Sequence, residues 1–442
     1  MDERAFCQDI VHFPMNENLK KFLIVSSYAP PAIGGPQNLY NLLRDFPKDR
    51  YFILTSFYNI DNLSAQKGTW LNGEYIFYDK QGATKEDRVK TQEEKTAAKK
   101  SSLLNRLKHL ARRNWFIRNL IGVPIIVAQI FWIVRRGKKS IKEKKPDVLL
   151  GFSDYGPAML GTYFLHKITK IPFRLFLFDI YKGNFFPFPG GVLSKIYEIR
   201  LFKKAEQIIV TNEGTKDFYI RRYGEKIGKK ITIIHNSAFP EQPLAYRTKY
   251  QPAPPFFILF TGKIYWAQIG ALKNLIRAVE KIQDIDVRLK IYCPNPREYL
   301  DRIGIKESGR IKISVAPPQD MPRIQSQADI LFLPLSWHTK SQEIIDTATP
   351  GKLTDYLIAG RPILIHAPSS SFLVKYAKEN NFAMVVDEES VEKLGTAIRQ
   401  LLKNQGLAEK LIANAEKTFF TNHEASKNAT KFERAIFSDT IS

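Results

Sequence analysis

The sequence has little cysteine, few histidines and no low-complexity segment. Its two cysteines, Cys7 and Cys293, exclude a disulfide scaffold and a cysteine-rich zinc or iron–sulfur site. The seven histidines are scattered, without an HExxH motif or a pair at metal-ligand spacing. Glycine and proline stand near average levels without a period, which excludes a collagen-like chain. The first residues, MDERAFCQDIVHF, lack a basic segment followed by an apolar run, so no signal peptide is predicted.

The chain is rich enough in apolar residues to fold, and it carries a large excess of positive charge. Its 442 residues are 44% hydrophobic and 12% aromatic, which excludes a disordered chain. The length is close to three typical domains of ~150 residues, so two or three domains are expected. Lysine and arginine number 67 against 44 acidic residues, a net charge of +23. This charge favours a polyanionic partner, either nucleic acid or an anionic membrane surface.

The first half of the chain alternates apolar runs with helical patterns. Residues 22–27 form an apolar run typical of a buried parallel strand, and a Gly/Pro-rich loop follows. A helical apolar pattern then leads to a second strand-like run at 51–56, which completes one βαβ unit. Further strands are predicted at 147–152, 173–179, 207–212 and 231–236.

The second half predicts another doubly wound sheet. Residues 237–255 are proline-rich without a period and are interpreted as an interdomain linker. Strand-like runs follow at 256–262, 287–293, 311–316, 329–335, 361–367 and 382–387. The predicted fold is therefore α/β, with two Rossmann-like parallel-sheet domains facing across a cleft. We expect an N-terminal domain over 1–236, a C-terminal domain over 256–420, and a helix over 421–442 that crosses back to the first domain.

Two glycine-containing loops follow predicted strands. Gly34 and Gly35 lie between the first strand and its helix, where the absence of a Cβ lets a ligand approach the backbone. A simple tight turn is the alternative. Gly262 ends the first strand of the second domain, and Lys263 stands at that strand's carboxyl edge, where a doubly wound sheet meets phosphate. The alternative is a surface lysine.

The segment TATPGKLTDYLIAGRP, residues 347–362, is the most informative. Pro350 suits the first turn of a helix, and Gly351 exposes its amides. The free N–H groups of Gly351 and Lys352 would form an anion site that the helix dipole supports. Asp355 lies one turn further, placed to accept hydrogen bonds from a sugar hydroxyl. Its alternative role is that of an ordinary first-turn carboxylate.

These three segments resemble the nucleotide-sugar motifs of GT-B glycosyltransferases of the GT4-type, or group 1, family. The resemblance implies that Lys263 faces the donor diphosphate, that the amides of Gly351 and Lys352 bind phosphate oxygens, and that Asp355 holds the ribose. The loop at Gly34 would approach from the other domain. The implied donor site comprises Gly34, Gly35, Gly262, Lys263, Gln268, Thr349, Pro350, Gly351, Lys352, Leu353 and Asp355.

The sequence departs from the family pattern at one position. The family carries two glutamates eight positions apart, and counting back eight from Asp355 gives Thr347, which supplies no negative charge. The catalytic candidates are Lys263, Asp355 and Asp179. The stretch FLFDIY, residues 176–181, resembles a family segment whose aspartate faces the cleft, which implies that Asp179 contacts the acceptor or the transferred sugar, unless it caps a helix. Asp154, at the end of the preceding strand, is the rival carboxylate.

The family resemblance implies a metal-independent enzyme with no cofactor other than its UDP- or GDP-sugar co-substrate. The acidic pair Asp284 and Asp286 has the DxD form but falls in a predicted helix-to-strand turn, away from the cleft. His338 follows a predicted strand on the cleft side, where it either touches a donor or is an exposed loop histidine.

An apolar and basic insertion is predicted at about 85–145. Residues 115–134 have about the length of a membrane span but are interrupted by Arg118, Asn119 and Gln129. We favour a helix or helical hairpin in the membrane interface, with Trp115 and Trp132 at headgroup level. The basic run at 135–145 would meet anionic lipid. A buried core helix and a transmembrane span are the alternatives, and no nucleic-acid motif is present.

The sequence thus predicts a hexosyltransferase-like enzyme at the cytoplasmic face of the plasma membrane. It would transfer a sugar from a nucleoside-diphosphate donor to a lipid-linked or envelope-polysaccharide acceptor, with retention as the resemblance implies. The alternative is a catalytically silent scaffold that binds a glycan or a partner enzyme.

Overall fold

The computed structural model describes residues 20–30, 34–58, 70–88, 115–184, 186 and 188–438, with only the backbone at 115–121. These residues form two parallel β-sheets with helices on both faces, of the GT-B type predicted from the sequence. Cys7, His109 and residues 89–114 of the predicted insertion lie outside the described part of the chain.

The first sheet has seven strands in the order β3-β2-β1-β4-β5-β6-β7, all parallel. Its central strands are almost wholly buried, because continuous apolar runs can be covered on both faces by crossover helices. The strands are β1 (Phe22–Val25), β2 (Tyr51–Thr55), β3 (Glu74–Phe77), β4 (Val148–Phe152), β5 (Phe173–Leu177), β6 (Gln207–Val210) and β7 (Ile231–Ile233).

The helices of this half connect strands that run in the same direction, so every strand of the sheet presents its carboxyl end to one edge. They are α1 (Gly35–Leu43), α2 (Trp115–Lys144), α3 (Pro157–Thr169), α4 (Gly190–Lys204), α5 (Glu213–Tyr223) and the single turn α6 (Glu225–Gly228).

The second sheet has six parallel strands in the order β10-β9-β8-β11-β12-β13. They are β8 (Phe256–Thr261), β9 (Val287–Tyr292), β10 (Ile311–Ser314), β11 (Ile330–Pro334), β12 (Ile363–His366) and β13 (Ala383–Val386). The helices from residue 241 onward are α7 (Glu241–Tyr246), α8 (Ile269–Lys281), α9 (Arg297–Arg302), α10 (Met321–Ser326), α11 (Gln342–Thr347), α12 (Leu353–Ile358), α13 (Phe372–Asn380), α14 (Val391–Lys403), α15 (Gln405–Thr418) and α16 (Ala425–Phe437).

The last helix, α16, packs against the first sheet. The ring of Phe432 lies 6.1 Å from that of Phe22 in β1, centroid to centroid. Arg50 pairs with Glu433 at 2.5 Å, and Arg174 donates to the carbonyl oxygen of Ser438 at 2.7 Å. Residues near the end of the described chain therefore complete the core of the domain in which the chain begins.

The apolar segment after residue 114 forms one continuous helix, α2, and the hairpin form of the prediction was wrong. The helix α2 continues through the basic run and packs closely on α3, because small residues meet large ones where the two helices touch. A Cβ on Gly161 would lie 2.4 Å from Ile133, and one on Gly137 would lie 2.6 Å from Leu165. No helix among the described residues combines the length and the apolar character needed to cross a membrane.

Two further segments have structure that the sequence did not predict. The proline-rich stretch at 237–255 contains the short helix α7 and a bridge between Ala238 and Glu424. Strand β3, with the sequence EYIF, was not predicted, since four residues with two buried positions give a weak pattern.

Candidate functional site

The carboxyl edges of the two sheets enclose the candidate site, and the Gly34–Gly35 loop lies at the first of them. Gly34 has φ of 90°, a left-handed conformation that favours glycine. A Cβ on Gly35 would lie 2.3 Å from Cδ2 of Phe178, so only glycine permits this contact. The structure thereby brings the loop against the residue that precedes Asp179.

The two candidate carboxylates of the first domain have different surroundings. Asp154 is buried and accepts hydrogen bonds from the backbone N–H of Gly156 at 2.8 Å and of Ala158 at 3.0 Å, and from the Ser27 hydroxyl. Burial raises its pKa to about 6, although these hydrogen bonds lower it. Asp154 therefore caps the start of α3, which leaves Asp179 as the carboxylate available to a ligand.

Asp179 faces the second domain across the cleft. Its side chain is accessible to solvent, and no described side chain donates a hydrogen bond to it. Desolvation by the surrounding protein raises its pKa. Across the cleft stands Tyr265, whose pKa rises to about 12 through burial and through the negative charge of Asp179. Lys263, two residues earlier, is exposed. The loop after β8 therefore places a phenol at the cleft, with an exposed cation two residues before it.

Lys352 is the most unusual group of the second domain. Its Nζ atom is buried, has no hydrogen-bond partner in the described part of the chain, and lies 3.7 Å from the ring centroid of Phe260. A Cβ on Gly262 would lie 3.6 Å from the same Nζ, so the backbone of Gly262 lies beside the amine. Gly262 has a φ of +99°, a conformation that favours glycine. Burial lowers the pKa of Lys352 to about 7, and the nearby Cys293 thiol raises it slightly.

Asp355 lies in the first turn of α12. Burial raises its pKa to about 6, and no described group offers it a compensating hydrogen bond or charge. Leu353 is fully buried and fixes the start of the helix in the core. The helix begins at Leu353, so Pro350 forms a turn before it, closed by the Leu353 N–H donating to the Pro350 carbonyl at 2.9 Å. That turn leaves Gly351 exposed at the edge of the cleft.

Gln268 and Thr349 also belong to the nucleotide-sugar site that the resemblance implies. Gln268 precedes α8 and is buried, and its Oε1 has no hydrogen-bond partner among the described residues. Thr349 accepts a hydrogen bond from the first domain, described below. Thr347 donates its hydroxyl to the carbonyl of Glu343 at 2.8 Å, within its own helix. The position of the family's first glutamate therefore carries a hydroxyl that is used locally.

The remaining candidates lie outside this group. His338 is largely exposed and pairs with Glu389 at 3.3 Å. Asp284 pairs with Arg399 at 2.8 Å and Asp286 with Arg288 at 2.9 Å, so arginines hold both carboxylates of the DxD pair. Over the described ranges, no three His, Cys, Asp or Glu side chains come together in a way that could hold a metal ion.

Sequence reasoning missed three features of the site. The amine of Lys352 was overlooked because only its backbone amide was considered. Tyr265 was not singled out, although its place two residues after Lys263 was a signal. Asn212, which reaches the second domain, looked like an ordinary residue at the end of a strand.

Comparisons with known proteins concern the family resemblance and the fold. Residues 255–404, about a third of the chain, match the sequence model of a family described as glycosyl transferases group 1. No curated protein matches the chain.

Solved structures of similar fold span nearly the whole chain. A glycosyltransferase from Rickettsia africae is 13% identical with a TM-score of 0.61, covering 96% of this chain and 100% of its own. HepE from Anabaena, in complex with UDP and glucose, is 11% identical with a TM-score of 0.60, covering 95% and 100%. Sucrose-phosphate synthase from Thermosynechococcus elongatus is 10% identical with a TM-score of 0.61, covering 94% and 98%. The predicted resemblance and the GT-B fold are confirmed, and the findings indicate a glycosyltransferase.

Proposed function

We propose that this glycosyltransferase of the group 1 type transfers a sugar from a UDP-sugar to a lipid-linked acceptor at an anionic membrane surface. The main support for a nucleotide-sugar donor is the buried Nζ of Lys352, which lacks a hydrogen-bond partner in the described structure. An amine held this way gains most from a ligand that brings negative charge and acceptor oxygens. A nucleoside diphosphate has both.

The donor would lie along the carboxyl edge of the second sheet. Lys352 and the exposed Lys263 supply positive charge where the diphosphate leaves, which is the main electrostatic demand of the reaction. Asp355 has unused acceptor oxygens for the ribose hydroxyls. UDP is favoured over GDP because HepE, of the same fold, was solved with UDP and glucose.

The acceptor would lie on the first domain, opposite the donor. Asp179 faces the cleft there, and the Gly34–Gly35 loop stands beside it. Closing the cleft would exclude water that otherwise hydrolyses the donor. The family resemblance implies retention of anomeric configuration and no metal requirement, and the lysines would take the place of a metal's charge.

An apolar face on the first domain supports a lipid-linked acceptor. Val127 and Phe131 of α2 are 59% and 55% exposed, and Val192 and Ile196 of α4 are also exposed. The segment that leads into α4 meets α2, since a Cβ on Gly122 would lie 3.1 Å from the carbonyl oxygen of Phe188. Exposed apolar residues grouped in this way mark an interaction surface. We call this group (Val123, Ile125, Val127, Phe131, Trp132, Phe188, Val192 and Ile196) the apolar face.

Charge and position favour a membrane as the occupant of the apolar face. Exposed lysines follow it along α2, including Lys138 and Lys142, and the whole chain carries a net charge of +23. Each basic residue near an anionic surface contributes about 1 kcal/mol. Gln129, within the same stretch of α2, accepts a hydrogen bond from the Tyr155 hydroxyl at 2.8 Å, close to the acceptor edge of the first sheet. An acceptor anchored in lipid would therefore enter the cleft directly, and we place the enzyme at the cytoplasmic face of the plasma membrane.

The test is nucleotide binding by the purified protein. Thermal unfolding is measured with UDP, GDP, CMP and dTDP and their sugars at 100 times the expected dissociation constant, where a ligand stabilises by about 2.7 kcal/mol. A shift with UDP and UDP-sugars alone supports the proposal. Turnover of a UDP-sugar that survives EDTA supports metal independence. No shift with any nucleotide contradicts the donor assignment.

A silent scaffold is the second candidate, and one observation favours it. Thr347 leaves the site without the carboxylate that the family carries at that position, and its hydroxyl is bonded within α11. A silent scaffold would bind glycan or nucleotide without breaking the sugar–phosphate bond. Slow release of UDP from a UDP-sugar in the absence of acceptor would exclude it.

A further inference from the structure

A single buried amide joins the first domain to the loop that carries Lys352. Asn212 is 1% exposed and lies between β6 and α5, at the carboxyl edge of the first sheet. Its Oδ1 accepts a hydrogen bond from the backbone N–H of Thr215 at 2.7 Å and so caps α5. Its Nδ2 donates across the domain boundary, to the carbonyl oxygen of Thr347 at 3.0 Å and to the Thr349 hydroxyl at 2.9 Å.

The two acceptors belong to the donor loop, residues 347–352. Thr347 ends α11, and the loop then passes through the turn at Pro350 to Gly351 and Lys352. The path of these few residues decides where the Lys352 amine and the Gly351 backbone stand. A hydrogen bond that fixes residues 347 and 349 therefore fixes the start of the loop.

Other contacts seat α5 on the second domain around this amide. A Cβ on Gly214 would lie 2.7 Å from Cβ of Phe372, so the backbone of α5 touches α13 directly. Arg222 pairs with Glu343 of α11 at 2.8 Å. Ile344 packs against the apolar core of the first domain. Asn212 is buried within this contact, and a buried hydrogen bond is costly to leave unmade.

We propose that Asn212 is a positioning residue that holds the donor loop in its binding form, so that the donor site is complete only when the first domain is seated on the second. The ligand in this inference rests on the proposed function, but the mechanical coupling does not. The two domains then take part in donor binding together: one supplies the groups that contact the diphosphate, and the other sets their position.

The chemistry of the side chain explains why asparagine stands here. Serine would still cap α5 through its hydroxyl, but it is too short to donate to the loop as well. Aspartate would cap α5, but its second oxygen could not donate to the carbonyl of Thr347. Among the three, asparagine alone combines a capping acceptor with a donor for the loop.

The test compares Asn212→Ser with Asn404→Ser. Asn404 caps α15 by accepting from the Leu407 N–H at 2.9 Å, far from the cleft, so the control makes the same substitution at the same kind of cap. Amide hydrogen exchange over residues 347–354 is measured without ligand, and UDP affinity by calorimetry. For Asn212→Ser we expect exchange about tenfold faster in this segment. We also expect UDP affinity to fall about tenfold, because the loop loses both hydrogen bonds that Nδ2 donates, to Thr347 and to Thr349. Asn404→Ser changes neither quantity.

Thr349→Val probes the same hydrogen bond without touching the cap of α5. It removes one of the two bonds that Nδ2 donates to the loop, whereas Asn212→Ser removes both. If these bonds act as proposed, Thr349→Val speeds exchange by itself but adds little to Asn212→Ser in the double variant. Effects that simply add would overturn the coupling.

The two proposals fail in different ways. Wild-type protein that binds no UDP refutes the donor assignment, and the exchange measurement then decides the coupling alone. Wild-type exchange in Asn212→Ser overturns the coupling even if UDP binds. A melting temperature and UDP affinity that fall alike in both serine variants would reduce Asn212 to a helix cap.

Discussion

Replacing Lys352 by methionine should make the empty protein more stable and the site unable to bind its donor. The amine is buried beside Phe260 without a hydrogen-bond partner among the described residues. Methionine keeps most of the stem, removes the charge and makes a favourable sulfur contact with the ring. The substitution therefore separates the stability of the fold from the function of the site.

The size of the stabilisation follows from the pKa. Burial lowers the pKa of Lys352 from 10.5 to about 7 in the folded protein. Below pH 7 the amine is charged in both states, and the folded state carries the full penalty of about 5 kcal/mol, since one pKa unit corresponds to 1.36 kcal/mol. Between pH 7 and 10.5 only the unfolded chain is fully protonated, so the penalty shrinks as the pH rises, and it vanishes above 10.5. The gain from Lys352→Met is thus largest below pH 7.

The assay is urea unfolding at pH 6.5 and pH 9.5, together with UDP affinity from pH 6.5 to 9. Lys352→Met should gain stability mainly at the lower pH and bind UDP about ten- to a hundredfold more weakly, the effect of one lost charge-assisted hydrogen bond. Wild-type affinity should fall above pH 7, where binding requires proton uptake, and the variant's should not. Lys290→Met is the matched control, because Lys290 also lies over a phenylalanine ring, that of Phe257, in mid-strand. Equal stability of Lys352→Met and wild type at pH 6.5, or unchanged UDP affinity, would refute this reasoning.

Three more substitutions test the remaining groups. Asp355→Asn should stabilise the empty protein by about 3 kcal/mol above pH 6 and by nothing below pH 3.8, because burial raises the pKa of Asp355 in the folded state to about 6. Urea unfolding at pH 3.5 and pH 7 measures this difference. The KM for the UDP-sugar should also rise. Lys263→Ala should lower turnover strongly at unchanged melting temperature, since the side chain is exposed, and unchanged turnover would remove it from the mechanism. Phe131→Glu should reduce sedimentation with phosphatidylserine vesicles several-fold at unchanged UDP affinity. Val315→Glu, at an exposed valine of the other domain, should leave sedimentation unchanged. Equal sedimentation of both variants would exclude the apolar face as the membrane-binding surface.

The sheets were predictable because their strands are continuous apolar runs. The run predicted at 22–27 is β1 (Phe22–Val25), and that predicted at 256–262 is β8 (Phe256–Thr261). In both cases the prediction ran past the strand by one or two residues, into the loop that carries the site. Buried parallel strands give a strong signal, whereas their ends depend on hydrogen bonding to neighbours.

The shape of α2 and the state of Lys352 could not be predicted, for related reasons. Gly122 and Pro124 are poor helix formers, but α2 continues through both, and Gly122 fits closely against Phe188. Tertiary packing overrode local propensity there. From the sequence alone, a lysine is expected to be charged and exposed. Only the contacts with Phe260 and Gly262 in the folded structure show that the Lys352 amine is enclosed. The bond from Asn212 to residues 347 and 349 likewise joins parts of the chain 135 and 137 positions apart, and no local pattern encodes it.

The return of α16 to the first sheet constrains how the chain is made. Phe22 lies in β1, yet its ring is covered by Phe432 and Phe437, which the ribosome adds more than four hundred residues later. At ~5–20 residues per second, the interval is roughly 20–80 seconds. During this time the first domain has an uncovered apolar flank, while the second domain, contiguous from β8 to α15, can fold as it emerges. The half of the protein that is synthesised first is therefore finished last, and chaperones have their longest opportunity to act on the flank around Phe22.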